Sequence, residues 1–571
     1  MKRRRFIKNI GVGGSSLAML PTMSHPHYSS NSLINNNTQN EYTADLVVAG
    51  GGLGGCAAAL AALRNRLHVV MTEETDWIGG QITQQGVPPD EHQWIETHGA
   101  TQLYRDFRNA VREYYFQNYP VTEVARQQQY FNPGNGAVSR LCHEPRVALA
   151  VLNAMLAPYL SNGQLTLLLN HKITAADVDG DRVQALTAQH TQAGREITLI
   201  APHFADATEL GDLLPLTGTE YVTGAEAKSD TGELHAAEQA APTNQQSFTM
   251  CLAMDYVPEA ENLIEKPKDY DFWRNFIPDL NPSWPGELLS LTYTHPSSLK
   301  PKTLGFHPEG GATGDVLNLW NYRKLIDRHN FKAGTYLGDS TIINWPQNDY
   351  FLGNLVDVSV EEFDRHVAQS KQLSLSLLHW LQTEAPRPDG KQGWPGLRLR
   401  GDILGTDDGL AKYPYVRESR RIQPVFRVLE EHVGKEQRLK VAGPEEGQTA
   451  ADFYDSVGIG YYHIDLHPSS GGNNYIDFAS LPFQIPLGAL LPRRIQNLLP
   501  ANKNIGTTHI TNGCYRLHPV EWSIGEAVGM LAAFALEKKS IPHTVRENES
   551  LLADFQKLIR SQGFETQWPN E

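Results

Sequence analysis

The stretch ADLVVAGGGLGG, residues 44–55, constrains the fold of this chain more than any other. Leu46, Val47, Val48 and Ala49 are apolar without alternation, the pattern of a strand buried on both faces. The glycines that follow contain G-x-G-x-x-G, set by Gly50, Gly52 and Gly55. Cys56 to Leu63 then read as a helix of small residues, and Leu67 to Met71 as a second strand ending at Glu73. Each residue type has a physical task. Gly50 makes the tight turn, Gly52 admits a pyrophosphate to the backbone, and Gly55 lets helix and strand pack closely. Gly54 belongs to the same loop, and the helix N-terminus behind it faces the phosphates. Glu73, 23 residues beyond Gly50, is placed to accept hydrogen bonds from a ribose. Strand, loop, helix, strand and acid in this order predict a dinucleotide-binding α/β domain. A glycine-rich turn in an unrelated fold would not require Glu73.

The 571 residues are 40% apolar, enough for two or more cores. A formal net charge of −15 argues against a nucleic-acid groove. Cys56, Cys142, Cys251 and Cys514 are scattered with no CxxC pair, so no zinc or iron–sulfur site is expected and the metal assignment is none. A disulfide between distant cysteines stays open. The N-terminus is different in character. Arg3 and Arg4 precede Arg5-Phe6-Ile7-Lys8 and a short Gly-rich apolar stretch, the pattern of a twin-arginine export signal. Export to the periplasm, or an equivalent lumen, is therefore expected. Residues 24–42 are Asn/Ser-rich and read as a linker. No later run reaches the roughly 20 apolar residues of a membrane span, so no transmembrane anchor is expected.

Helical spacing covers residues 97–120 and 143–160. Leu165–Leu169 reads as a strand, 181–200 as a hairpin leading into a further strand, and Phe204 to Thr208 as a strand returning to the sheet. Residues 220–480 hold six of the ten tryptophans and many prolines, and read as an inserted α+β domain. Its tryptophans are core and loop anchors individually, with some expected to line a substrate cavity. Asn497 to Ala501 reads as a last strand, followed by a loop carrying Thr507, Thr508, His509, Asn512, Arg516 and His518. A helix starts near Pro519, which suits its first turn, and its N-terminal partial charge would face a bound cofactor.

Glu73 is followed by Thr75-Asp76-Trp77-Ile78-Gly79-Gly80-Gln81, and a Gly-Gly pair past the ribose acid resembles flavoproteins rather than plain NAD domains. With CHEPRVA, ADATELGDLLPLTG, YVRESRRI and NLLPANKNIGTTHITNGCYRLHPVEWSIGEAVG, the chain resembles the FAD-dependent oxidoreductases related to the heterodisulfide-reductase flavin subunit, over roughly residues 44 to 535. The resemblance implies bound FAD on the fold of glutathione-reductase-like flavoproteins. It names no substrate, and the electron-receiving cysteines of heterodisulfide systems have no counterpart here. The expected architecture is an α/β Rossmann-like FAD-binding domain, with βαβ units, a central parallel sheet and a β-meander, plus an inserted α+β cap. The expected boundaries are 1–42 for signal and linker, 43–219 and 481–571 for the two parts of the FAD domain, and 220–480 for the cap.

The cofactor set reads Gly50, Gly52, Gly54, Gly55, Glu73, Gly79, Gly80, Gln81, Arg146, Asp206 and Thr208. Flavin chemistry needs a substrate C–H placed near the cofactor and one proton handled by the protein. His518 and His509 are the candidate bases, with Tyr515 and Arg516 as donors to flavin or substrate oxygen. His463 in the cap is the next candidate. Arg417, Glu418, Arg420 and Arg421 read equally as an ion-pair network bracing the cap or as a substrate clamp. Asp402, Asp407 and Asp408 read as a solvated turn rather than a calcium loop. The expected function is hydride removal from a small organic substrate by a dehydrogenase or oxidase, with oxygen, a quinone or a redox protein as acceptor. The rivals are a flavin monooxygenase or halogenase, and an electron-transfer subunit without a substrate.

Overall fold

The computed structural model describes residues 40–310, 313 and 315–569. The expected export signal, with Arg3 and Arg4, lies outside them, as does the expected linker up to residue 39. Five parallel strands form the central sheet, in the order Leu498–Pro500, His203–Asp206, Leu46–Ala49, Val69–Glu73, Leu165–Leu169. The strand from the glycine stretch lies at the middle. Its side chains alternate between two cores: Leu46 and Val48 join one, Val47 and Ala49 the other. That is why the sequence shows a continuous apolar run there. Helix Leu53–Arg64 makes the first crossover, and helix Pro145–Ser161 precedes the strand Leu165–Leu169.

A β-meander of His171–Asp179, Arg182–His190 and Glu196–Ile200 stands beside this sheet. The hairpin turn falls at Gly180, whose φ of 56° suits glycine. The strand His171–Asp179 escaped the sequence reading because its outward residues are polar and charged. Strand Glu41–Thr43 pairs parallel to Glu196–Ile200, so the last residues of the expected linker belong to this sheet.

A second core is built around an antiparallel sheet of Lys324–Ile326, Ser340–Ile343, Leu252–Tyr256 and Leu397–Leu399. Helix Val360–Thr383 covers it, opened by a capping box of Ser359 and Glu362. Trp273, Trp284, Trp320, Trp345, Trp380 and Trp394 are all buried in this core.

The expected loop after residue 501 is in part a helix, His509–Tyr515. Thr508 caps it, its hydroxyl accepting from the Thr511 N–H at 3.1 Å. Helix His518–Lys538 then packs along Leu53–Arg64. Its small residues allow close approach: a Cβ on Gly525 would sit 1.9 Å from the Gly54 carbonyl oxygen, and one on Gly529 2.2 Å from that of Ala58.

Candidate active site

The glycine loop takes the shape its task requires. Gly50 has φ of 92°, and a Cβ there would lie 2.4 Å from the Ala207 carbonyl oxygen. Helix Leu53–Arg64 starts at Gly52 with no side-chain cap and no acid in its first turn. A cavity beside it is lined by Gly50, Gly52, Glu73, Thr208, Glu209 and Lys172, among others. Glu73 is buried at the end of its strand and accepts from the Gly51 N–H at 3.0 Å and the Thr75 N–H at 2.8 Å. Burial pushes its pKa up to about 8. Asp206 braces the far side. It accepts from the Thr208 N–H and hydroxyl and from the Leu213 N–H, and burial raises it to about 7.

Gly79 and Gly80 both have positive φ and carry the chain past the helix N-terminus. Gln81 follows. Its amide donates to the Arg516 carbonyl at 3.0 Å and to the Glu521 carboxylate. Glu521 in turn accepts from the Gly54 N–H at 3.0 Å, so an acid from the last long helix sits on the N-terminus of the first. Lys503, fully buried, lies 3.9 Å from Glu521 and 2.5 Å from Glu209. Sequence reasoning missed this Lys503–Glu209–Glu521 group, although all three residues fall within the quoted blocks.

The residues fit FAD. A Cβ at Gly52 would fill the space before the helix N-terminus, 3.1 Å from Glu209 Oε1 and 3.3 Å from Asn502 Nδ2. Glu209 Oε1, both amide atoms of Gln85 and His518 Nε2 are buried without a hydrogen-bond partner among the described residues. Buried polar atoms without partners are rare in folded proteins, and Glu209, which lines the cavity beside the glycine loop, is placed to meet a polar group of the cofactor.

Arg146 does not join this cavity. It is exposed, with its guanidinium 5.2 Å from the Trp77 ring centroid and its Nε donating to the Asp402 carbonyl. Asp402 and Asp408 are paired with Arg400 and Lys371, each at 2.7 Å, as befits a surface turn.

A second cavity of about 190 Å³ lies between the two cores. Five tyrosines line it: Tyr293, Tyr322, Tyr415, Tyr462 and Tyr475. No tryptophan does, against expectation, because the tryptophans fill the cap core instead. Its polar wall holds Arg323, Arg417 and Arg516 with Asp90, Asp465 and Asp477. Arg516 ties this wall to the dinucleotide loop, through the bond from Gln81 to its carbonyl. His463 and His467 also line the wall. The strand Ile464–Leu466 explains their placement. Ile464 and Leu466 are buried in the core, so the alternate residues His463, Asp465 and His467 fall on the other face.

His467 is oriented by a buried acid. Its Nδ1 is 2.6 Å from Asp349 Oδ2, and Asp349 Oδ1 lies 3.0 Å from Arg417 and accepts the Thr249 hydroxyl at 2.6 Å. Burial alone would raise the Asp349 pKa, but Arg417 and His467 outweigh it and hold the group below the usual carboxylate range. His463 stands 2.9 Å from Asp477.

The four candidates in the C-terminal block part company. Arg516 lines the cavity, paired with Asp465 at 2.9 Å. Tyr515 does not reach it: its hydroxyl donates to the Gln484 carbonyl at 2.7 Å, and its ring stacks on Phe483. His509 is held by Glu418 at 2.8 Å and lines a separate pocket with Glu226, Glu233 and His235. Burial opposes ionisation of Glu418, yet His509 and Arg421 bring its pKa down to about 2. His518 accepts the Asp90 N–H at Nδ1, at 3.1 Å, and burial lowers its pKa to about 4. Its remaining hydrogen is then on Nε2, which makes it a neutral donor and not a base.

The charged block at Tyr415–Ile422 mostly braces. Arg421 pairs with Glu418 and Glu226, and Arg420 with Asp212 and Asp357. Only Arg417 of its charged residues lines the cavity. All four cysteines are free and buried, and burial raises their thiols, those of Cys142 and Cys251 to about 12. Asp327, His329 and Asp339 lie close together, with Lys324 already 3.2 and 3.3 Å from the two acids.

A parallel sheet with a glycine loop at its central strand, an acid closing the next strand and a polar cavity alongside define a dinucleotide-binding oxidoreductase. The chain belongs to the FAD dependent oxidoreductase family, whose model matches residues 45–559. No curated protein matches it. Among solved structures it is similar to quinol fumarate reductase FrdA from E. coli, at 12% identity over 92% of this chain and 74% of that one, with a TM-score of 0.33. It is similar to p-nitrophenol 4-monooxygenase PnpA from Pseudomonas putida, at 11% identity over 92% and 88%, with a TM-score of 0.34. A match to L-proline dehydrogenase from P. horikoshii has 13% identity and a TM-score of 0.17, and covers 32% of this chain but only 24% of that one.

Proposed function

We propose that this FAD-dependent oxidoreductase removes a hydride from a small organic substrate held in the tyrosine- and arginine-lined cavity. The observation that carries the reading is the oriented imidazole of His467 on that wall. FAD, when bound, supplies the two-electron oxidant. The chain's own residues do the rest. The glycine loop, Glu73 and the N-terminus of Leu53–Arg64, whose Gly54 N–H is already taken by Glu521, would hold the dinucleotide. Arg516 and Asp90 would fix the substrate beside the loop. His467 would accept the substrate proton at Nε2, which lies 3.5 Å from Asp465 Oδ2, with the Asp349 and Asp465 carboxylates on either side stabilising the imidazolium. His518 would stay neutral behind Asp90, presenting Nε2–H.

The cavity supports this reading over a subunit that only relays electrons, which needs no enclosed polar pocket. The buried cysteines support it over a thiol relay of the heterodisulfide type. Anaerobic addition of sugars, amines, amino acids and hydroxy acids to the holoenzyme tests it. At least one class should bleach the flavin. If none does, while a redox protein binds stably, the dehydrogenase reading fails.

We also propose export by the twin-arginine route, supported by the order and spacing of Arg3, Arg4 and Phe6. Replacing both arginines with lysine should retain the protein in the cytoplasm. Unchanged export in that variant would overturn the proposal.

A further inference from the structure

The charges on the cavity wall cancel locally. Arg323 pairs with Asp90 at 3.1 Å, Arg516 with Asp465 at 2.9 Å, and Arg417 with Asp349 at 3.0 Å. Asp477 is matched by His463 at 2.9 Å. Among the described residues no lysine lines the cavity. An ion entering it would lose its hydration and meet no uncompensated opposite charge. The wall therefore suits a ligand without net charge.

Hydrogen-bonding capacity is nevertheless left over. Nε of Arg323, Arg417 and Arg516, Nδ2 of Asn344 and the hydroxyl of Tyr475 are buried without a partner among the described residues. All five residues line the cavity. A neutral ligand that satisfies so many groups must carry several polar atoms. Four of the five atoms are donors only, so a neutral ligand that reached them would have to offer oxygen acceptors, and hydroxyl and ether oxygens do so without charge.

The remaining wall is aromatic. Five tyrosines present flat rings of the kind that cover the C–H faces of a saturated ring. The two segments that contribute Asp90 and Tyr462 continue into a half-exposed aromatic patch. Trp94 lies 5.3 Å from Tyr461 and 5.7 Å from Trp568, centroid to centroid.

From these observations we infer that the substrate is a neutral saccharide, oxidised at a CH–OH carbon, with the Trp94–Tyr461–Trp568 patch as a platform for a second sugar ring. The inference rests on the dehydrogenase reading. In the reaction the C–H and O–H bonds break and a C=O bond forms. The hydride leaves to the oxidant and the proton to His467 Nε2.

The test uses the anaerobic holoenzyme with glucose, maltose, glucuronate, glucosamine and lactate. Binding is read by calorimetry and reduction by flavin bleaching. Glucose or maltose should bind at least about tenfold more tightly than the charged probes. Tyr475→Phe, which removes one unpaired hydroxyl and no volume of the ring, should weaken glucose binding several-fold. Trp94→Ala should weaken maltose and leave glucose unchanged. Preference for glucuronate, glucosamine or lactate overturns the inference, and so does the absence of sugar binding. Sugar that binds without bleaching leaves the ligand class standing and removes the dehydrogenase reading. Bleaching by lactate alone does the reverse.

Discussion

Asp349→Asn separates the two tasks of the acid behind His467. Asp349 is 1% exposed and shared between Arg417, 2% exposed, and His467. Removing one partner of a buried ion pair costs about 3–5 kcal/mol, because the other charge is left without compensation. Arg417 keeps neutral acceptors in the Ser247 carbonyl, Thr249 hydroxyl and Asn344 side chain, so the loss should fall at the low end, about 3 kcal/mol. The same change removes the charge that stabilises a protonated His467, and the bleaching rate should fall by about 10²–10⁴. The double variant Asp349→Asn with Arg417→Met tells these effects apart. It removes both charges, so most of the stability should return, while the rate stays low. Denaturant melts and anaerobic stopped-flow bleaching read the two quantities. The pH dependence has a fixed sign. The Asp349 pKa is depressed in the fold, so its contribution is present above the ordinary carboxylate pKa, about 3.9, and disappears as the pH falls through the folded value. The gap between wild type and Asp349→Asn should close in acid. A single variant within about 1 kcal/mol of wild type, or a double variant that recovers the rate, would refute the reasoning.

Gly52→Val should abolish FAD binding, since its side chain would occupy the space before the helix N-terminus; full flavin absorbance in the purified variant would contradict this. His467→Gln should slow bleaching by about 10²–10⁴ with FAD content unchanged, whereas His518→Gln, which keeps a donor, should slow it far less; the opposite ranking in single-turnover rates would return the base to His518. Glu526 is buried, bonds the Trp522 indole at 2.9 Å and has its pKa raised by burial to about 7. A raised carboxyl stabilises the fold most below its unfolded pKa, about 4.3, and that contribution is lost as the pH rises through 7. Glu526→Gln should therefore gain on wild type between pH 4.5 and 7, by up to about 3 kcal/mol, and parallel melting curves across that range would count against it.

The sheet was legible because its strands are short apolar runs bounded by glycine or a turn, and each such run is a strand of the observed sheet. The glycine loop and Glu73 were legible because dinucleotide geometry restricts both residue type and spacing. The cavity was not. Its wall draws Asp90, Arg323, Arg417, His467 and Arg516 from segments 49 to 233 residues apart, and no local pattern joins them. One signal was available: in Tyr461-Tyr462-His463-Ile464-Asp465-Leu466-His467 the polar residues alternate with buried aliphatics. Read as a strand, that run puts two histidines and an acid on one face. His518 and His509 drew attention by their place near a helix start. Their actual partners are Asp90 and Glu418, which sequence proximity could not reveal.

The contact of Gly54 with Glu521 and Gly525 has a consequence for biosynthesis. The glycine loop leaves the ribosome hundreds of residues ahead of the helix that seats it. At about 5–20 residues per second, the two are separated by on the order of half a minute or more. During that interval Leu53–Arg64 has no partner for its small-residue face, and Gly54 no acid on its N–H. A nascent chain without this helix lacks the seat of its glycine loop, so FAD is expected to be held firmly only after synthesis is complete. By the same geometry, a protease cut that frees His518–Lys538 would release the cofactor from the opposite end of the chain, with the glycine loop itself untouched.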